Sequence, residues 1–155
     1  MKKVLIALDY NPTAQQVAET GYSLAKAMNA EVILFHVVAD AVYYSSAQYS
    51  PIMGYTGTGM DIIQDIDETG LIEEAEKFLT NSKNHLADPL IKIMVAKGDC
   101  AENILKAAAE LKAEIIVLGS HSRRWLEKVL MGSITEKVLH HTTIPLFIIP
   151  TGDKN

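Results

Sequence analysis

Five short apolar runs constrain the fold of this chain more than any other feature, because each has the length and composition of a strand buried on both faces. The runs cover residues 4–8, 31–38, 90–95, 114–118 and 144–149. The segments between them carry apolar residues at helical spacing, and each is long enough for a right-handed crossover between parallel strands. This alternation predicts an α/β fold built on an open, doubly wound parallel sheet of five strands, with helices on both faces.

Local signals predict where the helices begin. Asn11 with the proline that follows it suits a helix start, and the apolar spacing continues to about residue 29. Asp99 and Ser133 each stand three residues before a glutamate, which is the capping-box spacing, so each is expected to begin a helix. Residues 39–66 show no periodicity and contain tyrosine, serine and glycine, which predicts a long irregular loop.

Size and charge exclude several classes of protein. A length of 155 residues indicates a single domain over residues 1–155. The formal net charge of −5 argues against binding to nucleic acid or to an anionic membrane, since both need a positive surface. No apolar run approaches the roughly 18 residues needed to cross a bilayer. We therefore expect no nucleic-acid partner and no membrane partner.

Cysteine use and the N-terminal segment both point to the cytoplasm. Cys100 is the single cysteine, which excludes an internal disulfide and a multi-thiolate metal site and suits a reducing compartment. The apolar run after the N-terminal lysines stops at Asp9, too early for a signal peptide. The sequence therefore predicts a cytoplasmic protein.

Ligands of doubly wound sheets bind beyond the carboxyl ends of the strands. The first candidates for a site are Asp9, Val37 to Asp40 and the segment after Gly119, because they lie at the ends of predicted strands. The turn after Asp9 lacks the glycines of a dinucleotide-binding domain, and the chain has no P-loop pattern. A carboxylate at the end of an apolar strand needs a polar partner, so Asp9 is a candidate contact for a ligand or for Mg²⁺; the alternative is that Asp9 caps the turn before Asn11.

The strongest glycine signal precedes the last predicted helix. Gly132 would let the backbone approach an anion closely, Ser133 offers a hydroxyl, and the helix start offers free N–H groups. Arg123 and Arg124 add positive charge nearby. These features suit a phosphate, but the spacing alone equally allows a helix cap and a solvated basic surface.

Motifs spread over the whole chain resemble the universal stress protein family. They are Val4-Leu5-Ile6-Ala7-Leu8-Asp9, Phe35-His36-Val37-Val38, Gly98-Asp99-Cys100-Ala101-Glu102-Asn103-Ile104, Gly119-Ser120-His121 and Gly132-Ser133-Ile134-Thr135-Glu136-Lys137-Val138. Nucleotide-binding members show G-x-x-G, nine residues and G-[ST] after the fourth strand, a pattern that here runs from Gly119 to Ser133. The resemblance implies the strand order 3-2-1-4-5 and a Rossmann-like domain of the adenine nucleotide alpha hydrolase type.

The resemblance further implies ATP as the ligand, with AMP as an alternative. Asp9 would face the ribose or adenine, the Val37 backbone would border the adenine, and the segment from 119 to 133 would wrap the ribose and phosphates. The nucleotide-binding residues implied in this way are Ala7, Leu8, Asp9, Val37, Gly119, His121, Ser122, Arg123, Gly132, Ser133, Ile134 and Thr135. No residue is assigned a catalytic role.

One departure from the family pattern keeps three hypotheses open. Ser122 stands where the pattern has its second glycine, and serine at a position that needs positive φ costs on the order of 1 kcal/mol or more. The hypotheses are an ATP-binding stress-response module that acts through partners or slow hydrolysis, a nucleotide-free dimeric scaffold, and a weak enzyme using His121 and the arginines.

Three further expectations concern structure rather than chemistry. The apolar run 144–149 predicts a homodimer through an exposed sheet edge, which the resemblance also implies; the alternative is an edge covered by the C-terminal tail. His36 lies inside an apolar run and is interpreted as a hydrogen-bonded core residue. His140 and His141 suit the negative end of the last helix.

Overall fold

The computed structural model describes residues 1–39, 68–120 and 133–151. The strands are β1 Lys3–Ala7, β2 Glu31–Val38, β3 Lys92–Lys97, β4 Ile115–Gly119 and β5 Leu146–Ile149. The helices are α1 Ala14–Ala27, α2 Glu68–Leu86, α3 Cys100–Leu111 and α4 Ser133–His141. The predicted irregular loop lies outside the described residues except for its first residue, Ala39.

The five strands form one parallel sheet in the order β3-β2-β1-β4-β5, which confirms the predicted fold. Ile6 at the centre of the sheet pairs with Leu34 on one side and with Val117 on the other. The chain therefore moves outward from β1 in both directions, and the carboxyl ends of β1 and β4 flank the point where the strand order reverses.

The sheet buries an apolar layer on each face. On one face Ile6 and Leu34 pack with Val17 and Ala18 of α1 and with Leu79 of α2. On the other face the alternate strand residues Leu5, Phe35 and Ile116 pack with Ile104 of α3 and Val138 of α4. Consecutive strand residues thus face opposite layers, which is why the buried strands read as continuous apolar runs.

Some element boundaries differ from prediction because side chains bind the backbone of nearby turns. The prediction that Asn11 is the N-cap of α1 and Pro12 its first residue is wrong: the helix begins at Ala14. The Asn11 side chain accepts hydrogen bonds from the N–H (2.9 Å) and hydroxyl (2.6 Å) of Thr13. Similarly, β3 begins two residues later than predicted, since Asp88 accepts from the Leu90 N–H at 2.9 Å and forms a turn there.

Two other local predictions are confirmed, and the start of the final strand differs from its prediction. The bounds of β2 are as predicted, and Asp99 caps α3, its carboxylate accepting a hydrogen bond of 2.9 Å from the Glu102 N–H. The final strand is shorter than predicted and begins at Leu146. The preceding proline has no N–H to donate to a strand ladder, which accounts for the later start.

Gly21 lets α1 lie directly on the sheet. A Cβ at this position would lie 2.8 Å from Ile6 Cδ1 and 3.1 Å from Val117 Cγ1. We expect Gly21→Val to lower the free energy of unfolding by about 2 kcal/mol, because overpacking outweighs the gain in helix propensity. Ser23→Val, at an exposed position of the same helix, is the control in urea titrations. Equal stability of the two variants would contradict this account of the packing.

Candidate functional site

A small cleft opens at the carboxyl ends of β1 and β4. Its lining residues are Ala7, Leu8, Asp9, Thr13, Ala14, Val17, Gly119 and Thr151. Four of the sequence-predicted residues, Ala7, Leu8, Asp9 and Gly119, therefore lie together. The first turn of α1 and the residue after Pro150 complete the walls, and the sequence analysis did not assign them to the site.

Gly119 is required by the close approach of its neighbours. A Cβ there would lie 2.9 Å from Val17 Cγ2 and 3.0 Å from Thr151 Cγ2. The next residue, Ser120, donates its N–H to the Ile149 carbonyl at 2.9 Å and accepts from the Thr151 N–H at 3.0 Å. The end of β4 is thus fixed against the end of β5, and this fixes the floor of the cleft.

The start of α4 is tied to the same strand end. The Thr135 hydroxyl donates to the Gly119 carbonyl at 2.9 Å, and Thr135 is buried. The first turn of α4 is therefore held beside the cleft, while the neighbouring Ile134 is exposed. N–H groups of a first helical turn have no partner within the helix, so this geometry offers donors near the cleft.

Removing the Thr135 hydroxyl tests this tie. We expect Thr135→Val to lower the free energy of unfolding by about 1 to 3 kcal/mol, because it leaves the buried Gly119 carbonyl without its donor at nearly unchanged volume. Thr135→Ser keeps the donor and loses a methyl group, and serves as the control. If urea titrations find the valine variant as stable as wild type, the bond does not fix α4.

Asp9 supplies the negative charge of the cleft. Its Oδ1 accepts a hydrogen bond of 3.2 Å from the Asn11 N–H.

Burial raises the pKa of the Cys100 thiol to about 12, and the charges of Asp9 and Asp99 add to this effect. The thiol therefore stays protonated at neutral pH and does not act as a nucleophile there. Lys137 Nζ lies 3.5 Å from Asp99 and partly balances the negative charge.

An aromatic cluster lies behind Asp9. The His36 ring centroid is 4.7 Å from that of Tyr10 and 5.7 Å from that of Phe78, and the last two are 4.9 Å apart. His36 Nδ1 lies 2.7 Å from the Leu8 carbonyl oxygen, which can only accept, so Nδ1 carries the proton. His36 is buried and hydrogen-bonded, as the sequence predicts.

Burial of His36 predicts a loss of stability in mild acid. Desolvation lowers the pKa of its imidazole below the ordinary 6.5, and the Leu8 hydrogen bond and the Asp9 charge only partly oppose this. The unfolded chain therefore takes up the proton first, and the stability present above pH 6.5 decreases as the pH falls towards the folded-state pKa. Urea titrations over this range should show the decrease, and His36→Asn should flatten it. A profile unchanged by the substitution would contradict the assignment to His36.

The remaining predicted residues fall into two groups. Val37 is buried at the carboxyl end of β2, on the same face as Ala7, but does not line the cleft. The predicted residues His121, Ser122, Arg123 and Gly132 lie outside the described residues. Ser133 begins α4.

In residues 1–39, 68–120 and 133–151, no group of three or more histidine, cysteine, aspartate or glutamate side chains could hold a metal ion. The helices of that same part of the chain include none with the length and apolar character required to cross a membrane.

His140 and His141 lie in the last turn of α4, where His141 Nδ1 is 2.9 Å from the Lys137 carbonyl oxygen.

Comparison with known sequences gives one family. The model of the universal stress protein family matches residues 1–150. The chain is 30% identical to universal stress protein MJ0577 of Methanocaldococcus jannaschii, and the match covers 96% of this chain and 94% of that protein. It is 28% identical to the universal stress protein YxiE of Bacillus subtilis, over 95% and 97% of the two chains.

Solved structures agree with this result. The structure of MJ0577 is similar with a TM-score of 0.73 and 26% identity, covering 99% of this chain and 98% of that chain. Two structures with lower identity share the fold: a universal stress protein in complex with cAMP (TM-score 0.61, 16% identity, 96% and 95% covered) and one from Archaeoglobus fulgidus in complex with dAMP (0.61, 17%, 96% and 98%). The chain belongs to the universal stress protein family.

Proposed function

We propose that this protein is a cytoplasmic adenine nucleotide-binding module of the stress response, with ATP as its ligand. The observation that carries the proposal is the Thr135–Gly119 hydrogen bond, which holds the start of α4 beside the cleft that Asp9 lines. An anion-binding helix start and a carboxylate thus both lie at the carboxyl ends of the strands. Had they lain at opposite ends of the strands, no single nucleotide could contact both.

The charges set the orientation of the nucleotide. The Asp9 carboxylate repels phosphates and accepts hydrogen bonds from hydroxyl groups, so the nucleoside end of ATP lies at β1. The phosphates lie at the first turn of α4, where N–H groups and the positive end of the helix dipole favour anions. Ser133 and Arg123 extend the phosphate contacts, and the Val37 backbone borders the adenine.

The relatives support the class of ligand. Two proteins of the same fold were solved with adenine nucleotides, one with cAMP and the other with dAMP. Both ligands combine an adenine with a single phosphate, which requires an apolar surface beside an anion site. The cleft with the start of α4 beside it provides such a combination here.

We propose a binding role rather than dedicated catalysis. The Cys100 thiol near Asp9 is held protonated, and the Thr135 hydroxyl is bonded to the backbone, so neither serves as an activated nucleophile. Hydrolysis of ATP, where it occurs, is therefore expected to be slow. A turnover assay on purified protein distinguishes this from the enzyme hypothesis based on His121 and the arginines.

Nucleotide release and calorimetry test the proposal. Denaturing the purified protein should release an adenine nucleotide that chromatography identifies, and the emptied protein should bind added ATP in calorimetry. GTP is the control for the base, and titrations with and without Mg²⁺ test the metal at Asp9. Absence of released nucleotide together with absence of ATP binding would favour the nucleotide-free scaffold, for which Ser122 in place of the motif glycine is the supporting observation.

We also propose that the protein is a homodimer through β5. This strand is at the edge of the sheet, and Phe147 in it has 37% of its surface exposed. Leu139 of α4 is exposed as well. An apolar edge strand favours pairing with a second copy of itself.

A further inference from the structure

We propose that His36 is a positioning residue of the nucleotide site, which braces the turn that carries Asp9. The inference rests on the proposed function, because Asp9 is there the residue that contacts the nucleoside. His36 does not line the cleft. It acts on the ligand only through the backbone around Asp9.

His36 contacts both neighbours of Asp9 in the chain. On one side its Nδ1–H donates to the Leu8 carbonyl at 2.7 Å. On the other side its ring lies against the Tyr10 ring, with centroids 4.7 Å apart. The Leu8 backbone is thus bonded to this ring and the Tyr10 side chain packs against it, so His36 restrains the chain on both sides of Asp9.

The hydrogen bond acts where the strand pairing ends. Leu8 is the first residue after β1, and its N–H still donates to the Phe35 carbonyl at 2.8 Å. From Asp9 onward the chain turns towards α1, so the sheet no longer sets its path. The imidazole bond to the Leu8 carbonyl is therefore the last fixed point of the backbone before Asp9.

The second ring nitrogen of His36, Nε2, makes no comparable contribution, so the hydrogen bond of Nδ1 is the polar interaction that explains a histidine here. Nε2 is buried and has no hydrogen-bond partner among the described residues. Burying a ring nitrogen without a partner is unfavourable, and a phenylalanine would fill the same aromatic cluster without that cost. A histidine at this position is thus explained by its donor to Leu8 rather than by packing.

Two substitutions separate the donor from the ring. His36→Phe keeps a ring between Tyr10 and Phe78 but removes the donor. His36→Asn keeps an N–H donor near the position of Nδ1 but removes the ring. We expect His36→Phe to weaken ATP binding by about fivefold, the effect of one lost hydrogen bond, and His36→Asn to stay within about twofold of wild type.

The free energy of unfolding should rank the two variants in the order opposite to their ATP affinities. The asparagine variant loses the ring contacts and should unfold at the lower urea concentration. If His36 had only a structural role, the phenylalanine variant would be the better of the two in both stability and ATP affinity, with an affinity close to wild type. That result would overturn the proposal.

Amide hydrogen exchange of the unliganded protein gives a readout that does not depend on nucleotide. His36→Phe should speed exchange at Tyr10 and Asn11 relative to wild type and to His36→Asn. If wild type binds no adenine nucleotide, the proposed function fails, and exchange at these amides then decides whether His36 braces the turn. Exchange unchanged by His36→Phe would overturn the brace.

Discussion

Gly132→Asp is expected to weaken ATP binding on the order of 100-fold or more, which makes it one of the two largest effects predicted for this protein. Position 132 directly precedes Ser133, the first residue of α4. An aspartate there brings a negative charge to the place proposed for the phosphates, and its carboxylate competes for the same N–H groups.

The protein contains a natural comparison for this substitution. At the start of α3 the Asp99 carboxylate accepts from the Glu102 N–H at 2.9 Å, so that helix end already holds its own anion. In place of such an aspartate, the sequence has a glycine before α4, and a glycine has no side chain that could accept a hydrogen bond from the first N–H groups. Gly132→Asp gives α4 the kind of start that α3 has.

The fold should tolerate this change, because aspartate is a favoured residue before the first turn of a helix. Gly132→Asn is the matched control, since it adds nearly the same bulk without the charge, and it should lose much less affinity. Calorimetry with ATP and urea titrations on both variants separate binding from stability. Undiminished ATP affinity in the aspartate variant would show that the phosphates lie elsewhere.

The sequence predicts the sheet well because its central strands β1, β2 and β4 are buried on both faces. A continuous apolar run such as 31–38 is shielded from water only when both of its faces are buried, so its composition alone predicts a buried strand. The strand order follows from the family resemblance. Element ends were less predictable, because Asn11 and Asp88 bind backbone groups nearby and compete with helix and strand hydrogen bonds.

The site was predictable where it depends on position along a strand. Asp9 and Gly119 are found because each stands at the end of an apolar run. Thr13, Val17 and Thr151 reach the cleft only through the packing of α1 and β5 on β4, and no local pattern marks them. The same holds for the partner of His36, since its bond to Leu8 joins two strands that are distant in sequence.

Phe147→Asp is expected to convert the proposed dimer into a monomer, raising its dissociation constant by on the order of 1000-fold. In a two-fold symmetric dimer each substitution acts twice, so two phenylalanine contacts are lost and two carboxylates would have to be buried. A charge on an edge strand also blocks pairing with a second sheet. Sedimentation at micromolar protein should show half the mass of wild type.

Leu90→Asp is the control for a general effect of new surface charge. Leu90 is 78% exposed, beside β3 at the opposite edge of the sheet, whereas Phe147 is 37% exposed in β5. If β5 forms the interface, the Leu90→Asp variant stays dimeric and the Phe147→Asp variant does not. Dissociation of the Leu90→Asp variant instead would move the interface to the β3 edge, and a monomeric wild type would exclude the dimer. Thermal unfolding of both variants checks that the loss of Phe147, which is partly buried, has not simply unfolded the chain.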